Sequence, residues 1–222
     1  MTGQDFSAER AAMVEEQLRQ RGIRDTAVLD AMGAIPRELF VPERFQPQAY
    51  KDGPLPIPHK QTISQPYVVA YMLSLLHLQP TDAVLEVGTG SGYAAAVLGR
   101  IARVVYTIER HEKLVTYAQK RLDYLGCHNV YVIHGDGTQG YPAQAPYQGI
   151  VVAAGGPTIP DSLKKQLAKG GRLVMPVGLD RRHQHLVRVT RVDDETFEEE
   201  RKGPVAFVPL IGSEGWQQNL DA

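Results

Sequence analysis

Val84-Leu85-Glu86-Val87-Gly88-Thr89-Gly90-Ser91-Gly92-Tyr93 reads as a buried strand entering a glycine-rich turn, followed by a helix rich in alanine. Glycine lets the backbone come close to a ligand because it carries no Cβ. The N-terminus of the following helix adds unpaired N–H groups and a dipole that favours negative groups. A dinucleotide fingerprint, G-x-G-x-x-G/A, needs a small third residue for close helix–strand packing. That place falls on Tyr93, and the spacing here is G-x-G-x-G, with Glu86 two residues before the first glycine. A phosphate-binding P-loop would end in Gly-Lys-Ser/Thr, and the turn has no lysine. The turn therefore suits a nucleotide-like ligand without a pyrophosphate.

Two further strands repeat the pattern of an apolar run ending in an acid. Val104-Val105-Tyr106-Thr107-Ile108-Glu109 lies roughly 20 residues after the turn, where α/β nucleoside sites place the acid that accepts from ribose hydroxyls. Val130-Tyr131-Val132-Ile133-His134-Gly135-Asp136-Gly137 follows. Glu109 or Asp136 alone could cap a helix or sit in water. Together with Glu86 they put three acids at or near the C-terminal ends of successive strands, the edge at which open α/β sheets bind ligands.

The rest of the chain supports this frame. Ser7 to Arg21 is expected as an amphipathic helix with Met13, Val14 and Leu18 on one side and Gly22 ending it. Asp25 is expected to cap a second helix reaching Met32. Ile35 to Gln61 is rich in proline and lacks periodicity, which marks a functional or disordered loop. A helix over Pro66 to Leu78 leads into the first core strand, Ala83–Val87. Strand and helix then alternate: a helix to Ile101, Val104–Glu109, a helix over Glu112–Leu125, Val130–His134 and Gly149–Ala154. A helix near Pro160–Ala168 and a strand over Arg172–Val177 complete the alternation. His185–Val192 and Phe197–Phe207, joined by Asp193-Asp194-Glu195, form an antiparallel hairpin. The expected fold is α/β: a Rossmann-like, doubly wound, mostly parallel sheet with an antiparallel C-terminal hairpin and an N-terminal helical extension.

Composition narrows the function classes. The chain has 222 residues, 43% hydrophobic and 22% charged, with a formal net charge of -1. That size suits one domain, and that charge gives no reason to expect nucleic-acid or membrane binding. The single cysteine, Cys127, excludes an intrachain disulfide and is read as a packing residue. No stretch reaches transmembrane length, and the polar start Met1-Thr2-Gly3-Gln4-Asp5 is not a signal peptide, so a cytoplasmic location is the expectation. His59, His183 and His185 have no carboxylate or cysteine at a ligand spacing, so no metal is expected.

An acid–GxGxG turn, a ribose acid and an adenine-side acid on such a sheet resemble the class I S-adenosylmethionine-dependent methyltransferases. That resemblance implies that Gly88, Thr89, Gly90, Ser91 and Gly92 pass close to S-adenosylmethionine. It further implies that Glu86 helps hold the methionine amino end, Glu109 the ribose hydroxyls and Asp136-Gly137 the adenine amino group, with Arg110 among the cofactor-binding residues. A narrower likeness lies upstream. Gln61-Thr62-Ile63-Ser64-Gln65-Pro66-Tyr67 is similar to the signature of protein-L-isoaspartate O-methyltransferases. So are Arg37-Glu38-Leu39-Phe40-Val41-Pro42, Ala145-Pro146-Tyr147, Leu167 to Val174 and Phe207-Val208-Pro209-Leu210-Ile211-Gly212. The likeness runs from about Arg10 to Gly212. Departures are Pro58 and Lys60 where the family usually has glycine, Gln148 for the usual aspartate, and Gly155-Gly156 for an alanine pair. Lys60 is expected to alter the loop framing the substrate, and Gln148 the hydrogen bonding at a strand start.

The resemblance implies transfer of a methyl group to the free α-carboxylate of isoaspartyl residues in damaged proteins and peptides, with S-adenosyl-L-homocysteine as by-product. The ester then collapses to a succinimide, part of which hydrolyses to aspartate. A carboxylate has a reference pKa near 4, so the nucleophile is already ionised and needs no general base. Ser64 is the expected catalytic residue, orienting that carboxylate between cofactor and substrate, with Thr62 and Gln65 beside it. It could equally cap the helix starting at Pro66. The backbone at Val208, Pro209 and Leu210 is expected to bind the substrate peptide in extended form. One domain over 1–222 is expected: 1–80 an extension covering the site, 81–178 the cofactor-binding core, and 179–222 the hairpin and substrate-side segment; the protein is expected to be a monomer. A class I methyltransferase with a different carboxylate or small-molecule acceptor, and a non-catalytic protein retaining the cofactor fold, remain alternatives.

Overall fold

In the computed structural model, which describes residues 5–180 and 183–217, the strand that opens the glycine turn runs from Ala83 to Val87 (β3) and is buried at every position. It can be apolar on both faces because it lies inside a seven-stranded sheet covered on both sides. Its parallel neighbours are Val104–Glu109 (β4) and Tyr147–Val152 (β6). Val130–His134 (β5) adds in parallel outside β4, and Leu167–Val177 (β7) outside β6. Gln184–Arg191 (β8) and Phe197–Val205 (β9) extend the sheet antiparallel, giving the order β5-β4-β3-β6-β7-β8-β9. The chain moves one way from β3 and the other way from β6, so the strand order reverses between them. Ligands of open α/β sheets bind in the crevice at that reversal.

The expected fold class is the observed one. Two apolar clusters flank the sheet. One gathers the N-terminal helices, Pro66–Ser74 (α3), Tyr93–Ile101 (α4) and Glu112–Tyr124 (α5). The other lies on the opposite face, around Leu85, Ile150, Leu173 and Val189, under the short helix Asp161–Lys165 (α6).

Several element boundaries differ from expectation. Ser7–Ala12 is α-helical (α1), but Met13–Arg19 continues as a π-helix, with Gln20 N donating to Glu15 O and Ile23 N to Leu18 O. The wider turn still buries Met13 and Leu18. Asp25 does cap Thr26–Ala34 (α2), accepting from Val28 N at 3.1 Å. β6 begins at Tyr147, not Gly149, and ends at Val152. β7 begins at Leu167, inside the expected helix, because Ala168–Gly171 loops out between two registers: Tyr147 pairs with Leu167 and Gly149 with Arg172. Gln148 Oε1 accepts from Ala83 N at 2.8 Å, joining the starts of β6 and β3 as its departure from aspartate led us to expect.

The proline-rich segment is structured. Arg37–Phe40 and Glu43–Gln48 are 3-10 turns, and Leu55–Ile57 (β1) pairs antiparallel with Gln61–Ile63 (β2). The hairpin turn holds His59 at φ 62° and Lys60 at φ 57°. Both are in the left-handed region, where glycine is the usual occupant. The hairpin lies over the glycine turn, with Ile57 Cδ1 3.5 Å from where a Cβ on Gly90 would be. No helix among the described residues is long and apolar enough to cross a membrane.

Candidate active site

A cavity of about 270 Å³ opens at the C-terminal ends of β3 and β4. Its floor is the glycine turn: Gly88, Thr89, Gly90 and Ser91 line it, with Glu86 and Glu109 beside them. The β1–β2 hairpin and the loop into α3 contribute Lys60, Thr62 and Ser64. Gly137, Arg110 and the segment Val208-Pro209-Leu210 close the remaining sides. Sequence reasoning thus named most of the wall. It missed Tyr93, His111 and Ala153, which also line the cavity. Tyr93 had served only to reject a dinucleotide; its place at the first turn of α4 was the signal that it faces the same space.

The turn itself is closed on β4. Gly88, Gly90 and Gly92 have φ of 94°, 53° and 89°, which side chains other than glycine rarely adopt. Gly88 N and Thr89 N both donate to Ile108 O, at 2.8 and 3.3 Å, and Gly90 N donates to Glu109 Oε2 at 3.0 Å. These three turn amides are therefore spent inside the protein rather than offered to an anion. A pyrophosphate would find two carboxylates here and little N–H support.

The carboxylates are differently placed. Glu109 accepts from Gly90 N and, through Oε1, from His111 N at 2.9 Å, which fixes its plane. Each oxygen keeps a lone pair for a further donor, a fit to vicinal hydroxyls. Glu86 is 1% exposed. Thr107 Oγ1 donates to its Oε2 at 2.5 Å, so the 2.6 Å contact between Thr89 and Thr107 must be donated by Thr89. Burial pushes the Glu86 carboxyl up to about 8, the Glu109 carboxylate adds to this, and the Thr107 hydrogen bond opposes it. An acid held this way gains most from a cationic neighbour. A ligand with a positive centre, an ammonium group and ribose hydroxyls fits this donor and acceptor set, so S-adenosylmethionine suits the residues present.

Three named residues lie off the cavity wall. Gln65 is the N-cap residue of α3 and does not line the cavity. Gly92 faces α5: a Cβ there would stand 3.2 Å from Ala118 Cβ. Asp136 sits behind Gly137, beside a shallower depression; it accepts from Thr138 N and from Ser213 N, at 2.9 and 2.8 Å. Its carboxylate ties the C-terminal segment to β5 and is held below the usual range by these hydrogen bonds, against the opposing effect of burial.

Gly92 gives a test. Gly92→Ala is expected to lower Tm by roughly 4–8 °C, from about 2 kcal/mol of left-handed strain and crowding against α5. The affinity for S-adenosylhomocysteine should stay within about threefold, because the added methyl points away from the cavity. Thermal melts and calorimetric titration check both; a large affinity loss at unchanged Tm would overturn this assignment.

Ser64 caps nothing. The N-terminus of α3 has no side-chain cap, and the Ser64 hydroxyl makes no hydrogen bond among the described residues. Its carbonyl accepts from Arg37 Nη2 at 2.7 Å. At Val208–Leu210 the chain bridges Gly155: Gly155 N donates to Val208 O and Leu210 N to Gly155 O, both at 2.8 Å. Pro209 has no N–H, so it offers no donor there.

A sequence profile described as protein-L-isoaspartate(D-aspartate) O-methyltransferase (PCMT) matches residues 8–215. The chain belongs to this family. A protein-L-isoaspartate O-methyltransferase of Rhodopseudomonas palustris is 56% identical over 206 residues, covering 93% of this chain and 94% of the relative. Another, protein-L-isoaspartate O-methyltransferase 2 of Pelobacter propionicus, is 55% identical over 207 residues, covering 93% and 92%. Among solved structures, a protein-L-isoaspartate O-methyltransferase superposes with a TM-score of 0.83 at 29% identity, covering 93% of this chain and 67% of that one. A Plasmodium falciparum protein, described as a putative member in complex with S-adenosyl-L-homocysteine, gives 0.79 at 26% identity, covering 91% and 98%. The PCMT fold thus accounts for the sheet and the position of the cavity. Among the described residues no group of three or more His, Cys, Asp or Glu could hold a metal ion.

Proposed function

We propose that the protein is an S-adenosylmethionine-dependent protein-L-isoaspartate O-methyltransferase. It methylates the free α-carboxylate of isoaspartyl residues in damaged proteins and peptides. The observation that carries the reading is the pairing of two features in one cavity. Buried carboxylates Glu86 and Glu109 stand beside a glycine turn whose Gly88, Thr89 and Gly90 amides are already bonded, and Ser64, whose hydroxyl has no partner among the described residues, lies on the same wall.

S-adenosylmethionine supplies the methyl group. The chain's own residues do the rest. Glu109 takes hydroxyl hydrogen bonds on its remaining lone pairs, Glu86 faces the amino end, and Gly88, Thr89, Gly90, Ser91, Arg110 and Gly137 shape the donor side. Ser64, with Thr62 beside it, orients the acceptor carboxylate, and Val208, Pro209 and Leu210 border the peptide. That carboxylate is ionised at neutral pH, so no side chain need remove a proton. Alignment of the reacting atoms and exclusion of water carry the rate. Asp136 is given a tethering role, and Gly92 a packing one.

The domain division at 1–80, 81–178 and 179–222 belongs to the same proposal, as does a monomeric, cytoplasmic protein contacting neither nucleic acid nor membrane. The net charge of -1 is consistent with it. The deciding measurement pairs an isoaspartyl peptide with its aspartyl twin. Base-labile, S-adenosylmethionine-dependent methylation of the first alone is expected. Equal labelling of both, or of neither, rejects the proposal.

A further inference from the structure

Arg37 is fully buried, at 0% exposure, at the start of the 3-10 turn behind the cavity. Its side chain reaches two main-chain carbonyls from separate segments. Nε donates to Ala49 O at 2.8 Å and Nη2 to Ser64 O at 2.7 Å. Its backbone N donates to Tyr50 Oη at 3.1 Å, which anchors the other end of the residue. The guanidinium carbon stands 4.9 Å from the centre of the Tyr93 ring, and Tyr93 lines the cavity. Arg37 Nη1 and the Tyr93 hydroxyl are both buried and make no well-formed hydrogen bond, although the phenol is close enough to favour the guanidinium's charged form.

Burying a guanidinium is costly, and an apolar side chain of similar volume would fill the space at least as favourably. An apolar residue could not hold two carbonyls at a fixed separation. Lysine could not do so either, because its point charge lacks the planar fork. The held segment is the one that needs holding. Ser64 lies between β2 and α3, outside any regular element, its side chain makes no hydrogen bond among the described residues, and α3 has no side-chain cap to fix its start.

We propose that Arg37 is a positioning residue for Ser64: its guanidinium fork fixes the Ser64 main chain so that the hydroxyl faces the acceptor side of the cavity. This rests on the methyltransferase reading above. Arg37 touches neither substrate nor donor; it acts through the carbonyl of the residue that does.

The test compares wild type, Arg37→Lys and Arg37→Met. Arg37→Lys should lower kcat for an isoaspartyl peptide about 20-fold, with KM and the Kd for S-adenosylhomocysteine each within about threefold of wild type. Hydrogen–deuterium exchange should accelerate at residues 61–67 and around Ala49, not across the sheet. Unchanged kcat, or unchanged exchange at 61–67, overturns the proposal. So does a loss shared equally among kcat, cofactor affinity and Tm, which would mark a merely structural residue. Should Arg37→Met fail to fold, Arg37→Lys alone carries the decision. If wild type proves inactive on the isoaspartyl peptide, the functional reading fails, while the exchange measurement still judges whether Arg37 holds Ser64.

Discussion

Ser64→Ala is expected to lower kcat for an isoaspartyl peptide about 100-fold while leaving the Kd for S-adenosylhomocysteine within about threefold. Ser64 lines the cavity and its hydroxyl has no hydrogen-bond partner among the described residues, so removing it breaks no hydrogen bond seen there. If Ser64 served as a helix cap, its loss would cost about 1 kcal/mol of stability. The absence of a capping contact sets the opposite expectation, a Tm within about 2 °C of wild type. Stopped-time methylation assays, calorimetry and a thermal melt separate the two roles. Turnover near wild type with a depressed Tm would return Ser64 to capping. Reaction falls because a misaligned acceptor loses in-line geometry, where a displacement on the order of 1 Å costs roughly 100-fold. The effect should therefore lie in kcat rather than in KM.

The sequence was most readable where one residue type has one physical use. β3 could be placed because a fully apolar run ending in Glu86 and a glycine turn fits only a central strand at the sheet's ligand edge. Glu109 was found the same way, by its distance from that turn. The β1–β2 hairpin was missed because His59 and Lys60 occupy left-handed positions that normally announce themselves as Asn-Gly or Gly. The start of β7 was hidden by the Ala168–Gly171 loop-out, which breaks the period-2 pattern. The π-helical turn at Met13–Arg19 buries the same residues as an α-helix would, so periodicity could not reveal it.

Side-chain direction was the other gap. Glycine carries no directional signal, and Gly88 and Gly92 look alike in the chain, yet one lines the cavity and the other faces Ala118. Asp136 lies two residues past the end of its strand, where His134 is the register partner of Glu109, and it is claimed by Thr138 and Ser213, the latter 77 residues away. No local pattern announces such a partner. Arg37 was visible only as part of a family-like segment; that its guanidinium bonds the carbonyl of Ser64 follows from tertiary geometry alone.

Glu86→Gln is expected to weaken binding of S-adenosylhomocysteine about 100-fold, the scale for removing one partner of a buried charge pair. The pH dependence gives the sharper test. With its carboxyl pushed up to about 8 from an ordinary value of 4.5, ligand-free Glu86 is mostly protonated at pH 7. Between those two values the folded chain holds a proton that the unfolded chain has released, so the stability this group contributes falls as pH rises from about 4.5 to 8. Glu86→Gln removes that slope, and its Tm should gain on wild type steadily toward pH 8. A ligand ammonium beside Glu86 reverses the preference, because a neighbouring cation favours the carboxylate. Binding at pH 7 should then release about one proton more from wild type than from Glu86→Gln. Calorimetric titrations in phosphate and in Tris, whose ionisation enthalpies differ, measure that difference directly. Identical proton release from both proteins, or parallel Tm profiles from pH 5 to 8, would mean that Glu86 is already ionised in the free protein and that burial does not tune it for a cation.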